Sequence, residues 1–182
     1  MEVKYRELDE GNLNIIKRQL EREPDNVMGV ARFCPHSKPM VIVTFPFSRE
    51  KGVFPTTFWL SCPFWVKEVS RLEDKGMVKE ITDKVNNNKD LKQKLKIAHE
   101  KYADKRMTLL GEDIKKEISN ISTDIMDVLQ NSGIAGIRNR EGVKCLHAHL
   151  ADYLVNNFNP VGKIVHEELS PLTLCDENMK GI

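Results

Sequence analysis

Met40-Val41-Ile42-Val43-Thr44-Phe45-Pro46-Phe47 is rich in valine, phenylalanine and threonine and is punctuated by Pro39 and Pro46. Such a run fits a pleated, buried surface and reads as a β-strand. Two similar runs flank it, residues 27–33 and 53–60, separated from it by Cys34-Pro35-His36-Ser37-Lys38-Pro39 and by Ser48-Arg49-Glu50-Lys51-Gly52. Both separators carry the proline or glycine and polar residues that tight turns need, so the three runs are expected to form an antiparallel sheet. Upstream, Leu13, Ile16, Lys17 and Leu20 recur at helical spacing and stop at Pro24, which predicts a short amphipathic helix.

Downstream the periodicity changes from strand to helix. Pro63 is placed for the first turn of a helix whose buried side is Val66, Val69 and Leu72 and which ends at Gly76. Leu91, Leu95, Ala98 and Tyr102 space out one further helix, and Ile114, Ile118, Ile121, Ile125 and Val128 another, with lysines and glutamates on the outer faces. The expected fold is therefore α+β: a small antiparallel sheet from the N-terminal third packed against several helices, with a helical hairpin insertion. Residues 1–182 are expected to form a single domain, with residues 86–131 as the hairpin subdomain. The segment 163–169 reads as a last short helix, followed by an extended tail through Cys175.

Length and charge bound the function. A chain of 182 residues is long enough to bury a core. Its net charge of +1 supplies no field that would draw it onto nucleic acid. The charged N-terminus shows no signal peptide and no stretch reaches the length of a membrane span, so a cytoplasmic protein without a membrane partner is expected. In a reducing compartment the four cysteines, Cys34, Cys62, Cys145 and Cys175, read as ligands, nucleophiles or buried apolar groups rather than disulfides. None lies in the Cys-x-x-Cys spacing of a strong zinc motif.

The densest chemistry lies in Val143-Lys144-Cys145-Leu146-His147-Ala148-His149-Leu150, where Val143, Leu146, Leu150 and Leu154 mark the buried side of a helix expected from residue 143 to 156. On a regular helix Cys145 and His149 share a face while His147 lies nearly opposite. Either those two form a pair, or Cys145 sits in the preceding loop and turns toward His147. Lys144 and the positive end of the helix would favour a thiolate at Cys145. The glycines and arginines of residues 133–142, among them Arg138 and Arg140, could cradle an anion at the helix start or form a plain turn. They lack the Lys-Ser or Lys-Thr of a phosphate-binding P-loop.

Several motifs together carry a resemblance: Arg32-Phe33-Cys34-Pro35, the run from Phe54 through Thr57-Phe58-Trp59-Leu60-Ser61-Cys62-Pro63, Ala98-His99-Glu100-Lys101-Tyr102 with Arg106, and Val143-Lys144-Cys145-Leu146-His147 with Asn159-Pro160-Val161-Gly162. In that order they resemble a bacterial family known as domain of unknown function 501, over about residues 29–162. The resemblance implies a shared cytosolic domain and a shared cysteine and histidine set, with a further cysteine near the C-terminus that Cys175 matches, and no chemistry. The loop at residues 138–142 and the hairpin at residues 107–130 look longer here than in the family.

Two functional readings follow. In the first, Cys34, Cys62, Cys145 and Cys175, with His147 or His149 as a substitute ligand, hold zinc or an iron-sulfur cluster and tie sheet, helix and tail together. In the second, Cys145 is an enzyme nucleophile with His147 or His149 as base, and Arg32, Lys144 or Arg138 holds a small anionic substrate. The plain alternative is that the thiols fill core space and that His99, Tyr102 and Arg106, spaced along one helical face, pin that helix to the sheet.

Overall fold

A computed structural model describes residues 2–169 of the chain. Four strands form an antiparallel sheet in the order β1 (Arg6–Glu7), β2 (Val27–Phe33), β3 (Pro39–Thr44) and β6 (Phe58–Leu60), and β4 (Phe47–Ser48) and β5 (Gly52–Val53) make a separate two-stranded ladder. The expected second and third strands are thus shortened. Pro46 and Pro55 cannot donate to a ladder, so the chain leaves the sheet between Thr44 and Phe58.

Every residue of β3 is buried, which fits a central strand covered on both faces. Alternation decides which layer each side chain joins. Ile42 points with Val30 toward Ile16 of α1 (Glu10–Leu20), whereas Val41, Val43, Phe58 and Leu60 enter the main core beneath the remaining helices. Asp9 caps α1 through its carboxylate, accepting from Asn12 N.

The opposite layer begins with α2 (Pro63–Asp74), which has Pro63 in its first turn, and continues after a left-handed Gly76 into α3 (Met77–Asn86). Next come α4 (Lys89–Thr108), α5 (Glu112–Ile121), α6 (Thr123–Asn131), a 3₁₀ turn at Ile134–Gly136, α7 (Leu146–Asn156) and α8 (Pro160–Leu169). The second helix expected near residues 114–128 is two helices, divided where Ser122 takes extended backbone and caps α6. These two pack with the β4–β5 ladder through Phe47, Leu110, Ile118 and Leu129.

The inner face of α4 belongs to the main core. The buried Tyr102 hydroxyl accepts from Thr57 N at 2.7 Å and Phe58 N at 3.1 Å. The fully buried Arg106 donates to the carbonyls of Pro55, Leu129 and Ser132. These bonds replace partners that β6 and the loops around it lack, so α4 fixes the edge of the sheet. α7 crosses β6 and packs closely on α8. A Cβ on Gly162 would sit 2.1 Å from His149 O, so only glycine permits that crossing. Among the described residues no helix is long and apolar enough to cross a membrane.

Candidate metal centre

Helix α7 starts at Leu146, later than the apolar spacing predicts, because Cys145 is its N-cap, with extended backbone (φ −148°, ψ 117°). This is the second of the two arrangements open to the sequence: Cys145 lies outside the helix and turns its sulfur to His147, with Sγ 3.9 Å from Nδ1. Glu73, near the end of α2, completes the group. Its Oε1 accepts the Leu146 N–H at 2.6 Å, filling one vacant donor at the start of α7, and lies 3.3 Å from His147 Nδ1.

The opposite edge of the imidazole is anchored on α2. His147 Nε2 lies 3.0 Å from Val66 O and 3.3 Å from Ser70 Oγ, and the Ser70 hydroxyl donates to the same carbonyl. A carbonyl only accepts, so Nε2 carries a hydrogen and Nδ1 is the nitrogen presented to Cys145 and Glu73. Burial alone would lower the His147 pKa. The Cys145 sulfur, the Val66 carbonyl and the Glu73 carboxylate together outweigh it and raise the ring to about 9.

Glu73, Cys145 and His147 each offer a ligand atom within 4.8 Å of the others, and among the described residues they are the one such group of three or more. Cys34 and Cys62 are buried, neither of them in a disulfide, on the two sides of the start of β3. Among the described residues Cys34 and Cys62 are not part of the three-ligand group at Cys145, since the sheet holds them at strand ends while Cys145 turns to α2. Cys175 lies outside the described residues.

His149 is also elsewhere. It is fully buried against His99, ring centroids 5.6 Å apart, and its Nδ1 donates to Asn159 Oδ1 at 3.2 Å. Asn159 in turn donates to Asp152. Burial pushes His149 down to about 3 and His99 to about 4, so both rings are neutral. His99 accepts from Ile134 N and donates to Gly142 O. A Cβ at Gly133 would meet the His99 ring at 2.5 Å, which is why glycine stands there.

That contact helps to consume the loop at residues 133–142. The N–H groups of Gly133, Ile134, Gly136, Ile137, Glu141 and Gly142 all have partners within the protein, so these six are not open to an anion.

A cavity of about 530 Å³ opens beside the group. Cys145, His147 and Ala148 form one wall, with Phe58, Trp59 and Leu60 of β6 and Val66 of α2 around them. Arg32, Arg138 and Lys144 are exposed and do not line it. Arg22 and Lys67 line it instead. Neither these nor Glu73 was marked by any local motif. Glu73 is one acid among several on a charged helix, and only the docking of α2 on the start of α7 singles it out.

A family model described as Protein of unknown function (DUF501) matches residues 30–167, three quarters of the chain and the whole of this centre. The chain belongs to that family. The searches of curated proteins and of solved structures gave no match.

Proposed function

We propose that Glu73, Cys145 and His147 bind a single metal ion of the zinc type, with a fourth position open toward the cavity, where it acts on a small molecule. The observation that carries this reading is that the thiol and the carboxylate converge on the same ring nitrogen, Nδ1, while Nε2–H is committed to a backbone carbonyl. A histidine ligand held in that way has its tautomer and orientation set by the outer hydrogen bond. In a nucleophile–base–acid relay the acid takes the other ring nitrogen, and Glu73 does not.

Tetrahedral zinc bond lengths require N···O and S···N edges of about 3.3 and about 3.6 Å. The corresponding separations are 3.3 and 3.9 Å, so these two edges need only a small movement of the sulfur. One sulfur, one nitrogen and one oxygen suit a single borderline ion better than a cluster, which is held by several thiolates. Three protein ligands with an open position are the pattern of catalytic rather than structural zinc.

Metal content per chain tests the proposal. Protein purified without chelator and then exposed to zinc is expected to hold about one equivalent, lost in Cys145→Ser and in Glu73→Gln and kept in Cys34→Ser. Equal zinc in wild type and Cys145→Ser would defeat the assignment.

A second reading has its own support: the His147 ring beside Sγ, its pKa raised, together with the His147 and Ala148 N–H groups, which have no partner among the described residues at the α7 N-terminus, suits a nucleophilic Cys145. Iodoacetamide separates the two. Zinc bound at Cys145 protects it from alkylation, whereas a nucleophile is alkylated at the same rate with and without zinc.

A further inference from the structure

The cavity beside Cys145 has a chemistry apart from that of its metal-ligating wall. Leu20, Phe58, Trp59, Leu60, Pro63 and Val66 give it apolar surface, and the charged side chains that line it are of one sign. Arg22 and Lys67 are both exposed, which puts them at its open side, and no carboxylate lines it. Lys67 makes no ion pair among the described residues. Arg22 has a loose one, 3.6 Å from Asp25, whose carboxylate is already bonded by Lys51 at 2.6 Å.

Two polar atoms of the wall residues, Gln19 Oε1 and the Oγ of Ser61, a residue 1% exposed, have no partner among the described residues and lie just beneath the cavity surface rather than open on it. Folded proteins leave few such atoms unpaired. A mainly apolar hollow of about 530 Å³ with charged side chains at its rim has the size and lining usual for a small-molecule site.

We infer that the cavity binds a small carboxylic acid with an apolar body, its carboxylate held by Arg22 and Lys67 at the mouth and its hydrocarbon portion against Trp59 and Phe58. Two cations at the rim and no carboxylate in the lining favour an anionic head over a neutral one of the same shape. The inference deepens the proposed function by naming its substrate class, and it rests on that reading for what the site does with the acid, not for the binding itself.

Decanoate is a suitable probe. The chain has two tryptophans, so Trp65→Phe leaves Trp59 as the reporter in the cavity wall. Titration of decanoate followed by Trp59 emission and by calorimetry, in zinc-loaded and in chelator-treated protein, is expected to show saturable binding at one site in both. Decanol is expected to bind about tenfold more weakly, the worth of a charge-assisted contact. The double change Arg22→Gln with Lys67→Gln is expected to bring decanoate down to the decanol level and to leave decanol unchanged. Val66→Phe, which fills the cavity, is expected to weaken both ligands by more than tenfold with an unaltered circular-dichroism spectrum.

Absence of saturation, equal affinity for decanoate and decanol, or unchanged binding in Val66→Phe would each overturn the inference. Binding confined to zinc-loaded protein would overturn the assignment of the carboxylate to Arg22 and Lys67. Decanoate bound by a chain that takes up no zinc supports the inference while defeating the metal reading.

Discussion

Replacing Tyr102 by phenylalanine removes one oxygen from the centre of the molecule. That oxygen accepts two backbone N–H groups, from Thr57 at 2.7 Å and Phe58 at 3.1 Å, in a residue 1% exposed. The ring stays, and so does its edge contact with Phe58, centroids 5.7 Å apart at 78°. The loss is therefore confined to two buried donors left without an acceptor. Each costs about 1–3 kcal/mol, so the variant is expected to lose about 2–6 kcal/mol. For a chain of this size a loss of 1 kcal/mol lowers Tm by about 2–4 °C, which puts the expected fall between about 4 and about 24 °C. Urea unfolding followed by far-UV circular dichroism should show a lower midpoint at an unchanged slope. A loss below about 1 kcal/mol would refute the claim that α4 supplies the acceptor for this edge. Since Phe58 lines the cavity, decanoate affinity should fall with stability.

Acid should weaken the fold through His99 and His149. Both are held below the ordinary value of 6.5, first by burial, at about 4 and about 3. The unfolded chain takes up their protons near pH 6.5 and the folded one does not, so their contribution is intact above about 6.5 and is lost as the pH falls from there toward 4. The slope approaches two protons, about 2.7 kcal/mol per pH unit, and urea midpoints at pH 7, 6 and 5 would expose a flat profile if the rings are not buried neutral. His147, raised to about 9, acts in the opposite sense and loses its contribution as the pH rises from about 6.5 to 9. Gly162→Ala should cost about 3 kcal/mol or more, beyond ordinary overpacking, because the new Cβ meets the backbone of α7. Gly111→Ala, where nothing lies within 4 Å, is the steric control and should cost only the worth of the α5 N-cap it replaces, about 1 kcal/mol or less.

Much of this architecture was legible where side-chain periodicity carries it. The strand at Val27–Phe33 and the helix opened by Pro63 lie where valines, aromatics and proline predict them. Helix α3 was not expected, although Met77, Ile81 and Val85 are its buried face. Gly76 reads as an end, and it is equally a hinge between two helices when its φ is +85°. At the centre, local sequence allowed Cys145 to meet His147 but left open whether it would, because the answer depends on where the helix begins. That is decided by Glu73 seated on Leu146 N, a contact between distant segments. The cations at the cavity were illegible for the same reason, since Arg22 and Lys67 acquire their position from α1, α2 and β6 meeting there.

Val66, Ser70 and Glu73 reach the start of α7 from successive turns of α2, at i, i+4 and i+7. That helix therefore works as a ruler for the imidazole. Inserting or deleting one residue between 66 and 73 swings the carboxylate about 100° round the axis while the Val66 carbonyl stays in place, so the two grips can no longer be applied together. Indels should be accepted in the turn around Gly76 and rejected in this eight-residue span, a pattern that a library of single-residue insertions would display as a sharp boundary near Asp74.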